Sequence, residues 1–190
     1  MKIIKAIKNM IKRIIALGED RSLKTWQDIE YFNKDWEKRI QRMAQYIRSG
    51  STVLDLGCGQ MWTIKFLPKN CKYIPVDYVK RNEEVIVCDF NKYEFPDLKV
   101  DIAFVSGCLE YVNDYEWFVK KITDCSNIAI VSYCALEDFP DLEERKNHAW
   151  VNHLKKVDLI EIFRENGFSL EKEDKTDSNN TIFVFRTVNE

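Results

Sequence analysis

Two glycines one residue apart, and three acids placed around them, are the residues of this chain best suited to hold a charged small molecule. Residues 51–61 read STVLDLGCGQM. Thr52, Val53, Leu54 and Leu56 are apolar or β-branched, as a buried strand requires. Gly57 and Gly59, with Cys58 between them, let the backbone turn tightly and lie close to a ligand with no Cβ in the way. Asp55 stands inside the apolar run. An unpaired buried carboxylate is costly, so Asp55 must face a ligand or a ring of backbone N–H groups at the strand end. Asp77 follows the glycine turn by about twenty residues, the distance at which an acid accepts hydrogen bonds from ribose hydroxyls. It also suits a turn after a strand. Asp89 closes another short apolar run, and Asp89-Phe90-Asn91 is equally good turn chemistry.

Two kinds of nucleotide-type cofactor fit such a turn. A dinucleotide fingerprint needs G-x-G-x-x-G, and here Gln60, Met61 and Trp62 follow Gly59, so the third glycine is missing. A carboxylate beside the turn disfavours a pyrophosphate. Asp55 instead favours a cofactor with a positive ammonium or sulfonium group, and S-adenosylmethionine carries both as well as a ribose.

The elements that position these residues alternate. Residues 33–48 form an amphipathic helix with Asn33 as cap and a stripe of Trp36, Ile40, Met43, Ala44 and Ile47. The glycine-bearing strand comes next, then a short helical piece, MWTIKFLP, stopped by Pro68. Strands are expected at 73–77, 85–89, 101–107 and 127–133, with a helix over 114–123. A charge-rich loop spans 135–150, a helix 155–166 and a short strand 168–170; a polar stretch then leads to the last strand, 181–188. The pattern predicts an α/β fold: a doubly wound, mostly parallel seven-stranded sheet covered on both faces, with an antiparallel terminal strand and helices at the N-terminal end. Ligands of such sheets bind outside the carboxyl ends of the strands, where Asp55, Asp77 and Asp89 would line one crevice.

The chain of 190 residues suits one domain, read as 33–190, preceded by a basic segment and connector at 1–32. A net charge of −2 argues against nucleic acid as a partner. The six cysteines form no C-x-x-C pair and read as reduced core thiols of a cytoplasmic protein. Metal-ligand spacing is absent from the sequence, so metal-free chemistry is expected. Residues 1–17 interleave Ile3, Ile7, Met10, Ile11 and Ile14 with five cations. Such a helix either lies peripherally on an anionic membrane or docks on its own domain or on a second copy in a homo-oligomer.

VLDLGCG resembles motif I of the class I S-adenosylmethionine-dependent methyltransferases; YIPVD is similar to their second motif, VIVCD to their third and DIAFVSGCLEYV to their fourth. The resemblance covers about residues 35–190, with Met61 at the position of the family's usual third glycine. It implies a Rossmann-like fold with S-adenosylmethionine as cofactor. The Asp55–Gly59 turn would hold the methionine part, Asp77 the ribose, and Asp89 with Phe90 the adenine. Residues 106–110, from Ser106 to Glu110, would border cofactor and substrate.

Methyl transfer gains most from alignment of nucleophile, methyl carbon and sulfur. A hydroxyl acceptor also needs a base. The chain has two histidines, His148 and His153, both in KNHAWVNHLKK beyond the fifth strand. His153 is the first candidate base and His148 the second, with Glu110 as a rival base or substrate contact. Asn152 either caps the following helix or contacts substrate. Trp150 stacks on a sugar or anchors the loop, Tyr111 offers a hydroxyl or packs, and Trp62 covers the cofactor or packs. The acceptor is expected to be a small molecule or a glycan hydroxyl, as in polysaccharide biosynthesis, since the His-Trp-Asn-His stretch resembles bacterial enzymes of that kind. The alternatives are an inactive cofactor-binding partner subunit and a methyltransferase for protein or nucleic acid. A base-directed amino methyltransferase would show [DN]-P-P-[YF] where this chain has SGCLEY.

Overall fold

In the computed structural model, which describes residues 32–188, the glycine-bearing stretch is strand β1 (Thr52–Leu56). It lies within a seven-stranded sheet. On one side come β2 (Lys72–Asp77) and then β3 (Ile86–Val87) at the edge. On the other come β4 (Ile102–Ser106) and β5 (Ile128–Tyr133), then the hairpin formed by β6 (Phe168–Lys175) and β7 (Thr181–Thr187). The order is β3-β2-β1-β4-β5-β7-β6. Strands β1 to β5 pair in parallel, whereas β7 runs antiparallel to both β5 and β6.

Both faces of the central strands are buried. Val53, Ile102, Phe104, Ile128 and Ile130 join Met43, Ala44 and Ile47 in one core. Helix α1 (Asp35–Ala44) supplies Met43 and Ala44, and Ile47 follows on the next turns. Leu54, Leu56, Ala103, Val105, Ala129 and Val131 face the opposite core, with α2 (Tyr115–Cys125) and α4 (Lys156–Glu165). The period-two alternation of a strand buried on both sides produces this division.

Several boundaries differ from the sequence-based expectation. Helix α1 has Lys34, not Asn33, at its N-cap and stops at Ala44, because Gln45, Tyr46 and Ile47 switch to tighter three-residue backbone bonds. The strand expected at 85–89 keeps only two residues, since it pairs solely with the tip of β2 before Asp89 caps a 3₁₀ turn. The piece after the glycine turn is a 3₁₀ helix, Trp62–Phe66. The expected loop at 135–150 holds helix α3 (Leu142–Asn147), whose N-cap Asp141 accepts from the backbone N–H groups of Glu143 and Glu144. Strand β6 runs on through the polar residues to Lys175, because an edge strand needs an apolar face on one side only. Residues 1–17, with the membrane or partner contact expected of them, lie outside the described residues. Among the described residues no helix is long and apolar enough to cross a membrane.

Candidate active site

The order of strands reverses between β1 and β4, the switch point at which open α/β sheets bind ligands. The segments leaving these two strands touch. A Cβ built on Gly57, at φ +78°, would stand 2.7 Å from Cys108 Sγ and 2.8 Å from Cys108 Cβ. The N–H groups of Gly57 and Cys58 both donate to Val76 O on β2, at 2.8 and 3.0 Å. The N–H of Gly59 donates to Asp77 Oδ2 at 2.8 Å, and Val79 N–H to Asp77 Oδ1 at 3.0 Å. The tip of β2 is thus fastened beneath the glycine turn. Each Asp77 oxygen keeps acceptor capacity beyond these bonds.

Asp55 is 1% exposed. Tyr73 Oη donates to its Oδ2 at 2.7 Å, and the Thr63 hydroxyl also donates to the carboxylate. Burial pushes its carboxyl up to about 6; the two hydroxyls pull it down and the neighbouring Asp77 charge adds to the rise. Neither Asp55 nor Asp77 forms an ion pair among the described residues. Two buried carboxylates beside a glycine turn form a site that selects a cation.

Met61 takes φ +55° and ψ +33°, the left-handed conformation glycine adopts freely. The third-glycine position therefore keeps a glycine-like path despite its side chain, at a strain of about 1 kcal/mol. Met61→Gly is expected to bind cofactor as the parent does and to be more stable by up to about 1 kcal/mol in chemical denaturation.

Asp89 and Phe90 sit beyond β3. The Asp89 carboxylate caps the 3₁₀ turn through Asn91 N–H at 3.0 Å and pairs with Lys92 at 3.1 Å. The Phe90 ring turns inward, 4.6 Å from the Phe118 ring, so a contact with adenine there would come from its backbone. Ser106, at the end of β4, accepts at Oγ from Arg39 Nε at 3.3 Å.

Arg39 on α1 is a residue that the sequence reasoning passed over. A Cβ on Gly107 would lie 2.6 Å from Arg39 Nη2, so the missing side chain of Gly107 makes room for the guanidinium. Among the described residues its terminal nitrogens make no hydrogen bond. The signal was available: Arg39 stands between Trp36 and Met43 on the stripe that faces inward.

Glu110 is 2% exposed. Its Oε1 accepts from Cys134 N–H at 2.9 Å, while Oε2 is buried without a hydrogen-bond partner. Burial raises its carboxyl above the ordinary range. Tyr111 Oη accepts from Trp150 Nε1 at 3.1 Å. The Trp150 ring is occupied by His148, stacked at 5.1 Å, and by the Arg145 guanidinium at 4.8 Å. Loop anchoring therefore describes Trp150 better than a free platform for a sugar. Asn152 is buried: Nδ2 donates to Leu109 O and Val112 O at 2.7 and 2.9 Å, and Oδ1 accepts from Tyr133 Oη at 2.7 Å. It is committed to joining the segments after β4 and β5, and the N-cap of α4 is Lys155.

His153 Nδ1 accepts from Arg145 Nε at 3.0 Å. The ring also hydrogen-bonds the backbone of Asn152, so it is held by its own loop. His148 is exposed, and among the described residues its ring nitrogens make no hydrogen bond.

Residues 28–173 match a family model described as a methyltransferase domain. The chain belongs to that family. It is a class I methyltransferase domain, and the family's cofactor is S-adenosylmethionine. The solved structure of 1,6-didemethyltoxoflavin-N1-methyltransferase from Burkholderia thailandensis, with bound S-adenosylhomocysteine, superposes with a TM-score of 0.69 at 15% identity, over 94% of this chain and 90% of that one. The N-methyltransferase NodS from Bradyrhizobium japonicum, also with S-adenosylhomocysteine, gives 0.59 at 12% identity, over 82% and 87%. A curated relative, the probable (S)-tetrahydroprotoberberine N-methyltransferase 2 of Papaver bracteatum, is 32% identical over 40% of this chain and 26% of its own length. The matched stretch thus spans about a quarter of that relative. The residues around the switch point fit the cofactor: a crowded glycine turn, two unpaired carboxylates for a cation, and a guanidinium for a carboxylate.

Proposed function

We propose that this chain transfers a methyl group from S-adenosylmethionine to a nucleophilic oxygen or nitrogen of a small molecule. The observation that carries the reading is the pair of buried acids at the Gly57–Gly59 turn where β1 and β4 diverge: Asp77, bonded to the Gly59 N–H, and Asp55, on the strand that leads into the turn and held by Tyr73. When bound, the cofactor supplies an activated methyl carbon on a positively charged sulfur. Asp55 balances its ammonium group, and the terminal nitrogens of Arg39 receive its carboxylate. Asp77 accepts from the ribose with the lone pairs left after Gly59 and Val79. Residues Asp89 and Phe90 meet the adenine, the latter through its backbone.

For a hydroxyl acceptor, His148 takes the proton, since its imidazole is the one with uncommitted nitrogens. A saccharide remains within the acceptor class, but Trp150 lends that choice no support because its ring is engaged.

The test is incubation with methyl-labelled S-adenosylmethionine and a metabolite extract, read by mass spectrometry. A labelled small product is expected. Binding of S-adenosylhomocysteine without any labelled product would favour an inactive cofactor-binding partner. On a hydroxyl product so found, His148→Gln is expected to lower turnover by about a hundredfold or more and to leave S-adenosylhomocysteine affinity unchanged.

A further inference from the structure

The N-terminal ends of the parallel strands, at the edge opposite the glycine turn, frame a cleft of about 400 Å³. Its walls come from the segments that enter those strands: Arg48 and Ser51 before β1, Asp101 before β4 and Asn127 before β5. Arg186 and Thr187 reach it from the last turn of the antiparallel β7. The walls are tied to one another. Ser51 N–H donates to Arg48 O at 3.3 Å, Thr52 N–H to Asp101 Oδ2 at 2.7 Å, Asn127 N–H to Asp101 O at 3.3 Å and Thr187 N–H to Asn127 O at 3.0 Å. A cleft built this way is formed before any ligand arrives, and its size is common among small-molecule sites.

Uncommitted donors outnumber acceptors on these walls. The Arg48 guanidinium, the Asn127 amide and the Ser51 and Thr187 hydroxyls make no hydrogen bond among the described residues. Arg186 gives its Nε to Glu171 Oε2 at 2.7 Å, which leaves both terminal nitrogens to donate. Arg48 acts on the same Glu171 carboxylate, so the two guanidinium groups converge on one corner of the cleft. Glu171 itself is exposed and stands outside the lining. Its pair with Arg186 is a surface pair, worth little, and does not exhaust the guanidinium. Asp101 is the acid of the lining: Oδ2 is held by Thr52 N–H, and Oδ1 keeps its capacity to accept.

A guanidinium fork matches paired phosphate oxygens, and the amide and hydroxyls add donors for the rest. Asp101 repels a bare anion, but its free oxygen accepts from a hydroxyl carried beside the phosphate. We propose that this cleft binds a small phosphorylated hydroxy compound, a sugar or polyol phosphate, with the phosphate on Arg48 and Arg186 and a ligand hydroxyl on Asp101. The site is separate from the cofactor turn, which lies beyond the opposite ends of the same strands. A ligand seated here joins the entrances of β1, β4 and β5 to the end of β7, so it also stabilises the folded chain.

The test is calorimetric titration of the full chain, at fixed ionic strength, with inorganic phosphate and with glycerol 3-phosphate, first without and then with saturating S-adenosylhomocysteine. Glycerol 3-phosphate is expected to bind saturably, about tenfold more tightly than phosphate, and equally in both conditions. Arg48→Gln is expected to weaken both probes by about tenfold. Arg186→Gln, the second variant should the first fail to fold, is expected to do the same. Asp101→Asn keeps an oxygen for Thr52 N–H and is expected to erase the preference for glycerol 3-phosphate. No saturable binding of either probe up to about 10 mM, or binding indifferent to a folded arginine variant, overturns the site. Displacement of the probe by S-adenosylhomocysteine overturns it too, since the two ligands would then share the glycine turn. Equal affinity for the two probes, or a preference that survives in Asp101→Asn, overturns the hydroxyl contact. Failure of S-adenosylhomocysteine to bind would count against the methyl-transfer reading alone, because the probes are first titrated without it.

Discussion

Asp55→Asn is expected to melt several degrees above the parent when no cofactor is present, and to bind S-adenosylhomocysteine at least a hundredfold more weakly. Both effects have one cause. The carboxyl is buried, and burial first, then the neighbouring Asp77, raises it to about 6. Its value in the unfolded chain is near 4. Between these values the folded protein binds more protons than the unfolded one, so stability falls as pH rises through the window. The stabilising contribution is complete below about pH 4 and lost above about pH 6. At neutral pH the ionised group therefore costs roughly 3 kcal/mol, an upper bound for what Asn can return, since a buried amide has its own desolvation cost. For a chain of this size each kcal/mol is worth about 2–4 °C. The gap between mutant and parent should open between pH 4 and 6 and stay constant above. Cofactor binding has the opposite slope in the parent: an ammonium ion favours the ionised carboxylate, so affinity should fall about tenfold per pH unit below 6. Asn removes both the charge and the slope. Thermal melts and calorimetric titrations over pH 4.5–8 check both arms.

Gly57→Ala is expected to destabilise the protein by about 2–5 kcal/mol and to lose cofactor binding. Two effects act together. At φ +78° an L side chain is strained by about 1–2 kcal/mol. The new methyl would also lie 2.7 Å from Cys108 Sγ and 2.8 Å from Cys108 Cβ, and one of the two segments must move. Overpacking of this kind costs about 1–3 kcal/mol. Cys108→Gly on the same chain removes both clashing atoms and should recover the packing part, leaving the backbone strain. Chemical denaturation of the two single variants and the double variant separates the contributions. Equal stability of parent and Gly57→Ala would mean that the β1 and β4 turns do not pack as described.

Much of this site was legible in the sequence because it is encoded locally. An apolar run, an acid and paired glycines define a strand that ends on a turn, and the spacing to Asp77 brought the next strand tip to the same edge. The hydrogen bond from Gly59 N–H to Asp77 Oδ2 is that juxtaposition in atomic form. The third-glycine position was harder to read, because a residue type does not reveal that Met61 adopts a left-handed backbone.

What escaped depends on distant contacts. Arg145 sits among DLEERKNH, where every neighbour suggests a solvated surface, and α3 buries no other residue, so no apolar period marks it as a helix. Its burial comes from carbonyls of the segment after β5, which sequence spacing cannot bring together. His153 was chosen as base for its residue type, and its partner at Nδ1 became visible only once Arg145 was placed. Arg39 was hidden for a different reason: a cation on an otherwise apolar stripe is readily taken for its edge.

Calorimetric titration of S-adenosylhomocysteine into the intact parent chain at neutral pH, repeated with NAD, tests the central claim most directly. The account predicts saturable binding of one equivalent of S-adenosylhomocysteine, loss of that binding in Asp55→Asn, and no heat with NAD. Binding that survives unchanged in Asp55→Asn, or that is found for NAD instead, would contradict it.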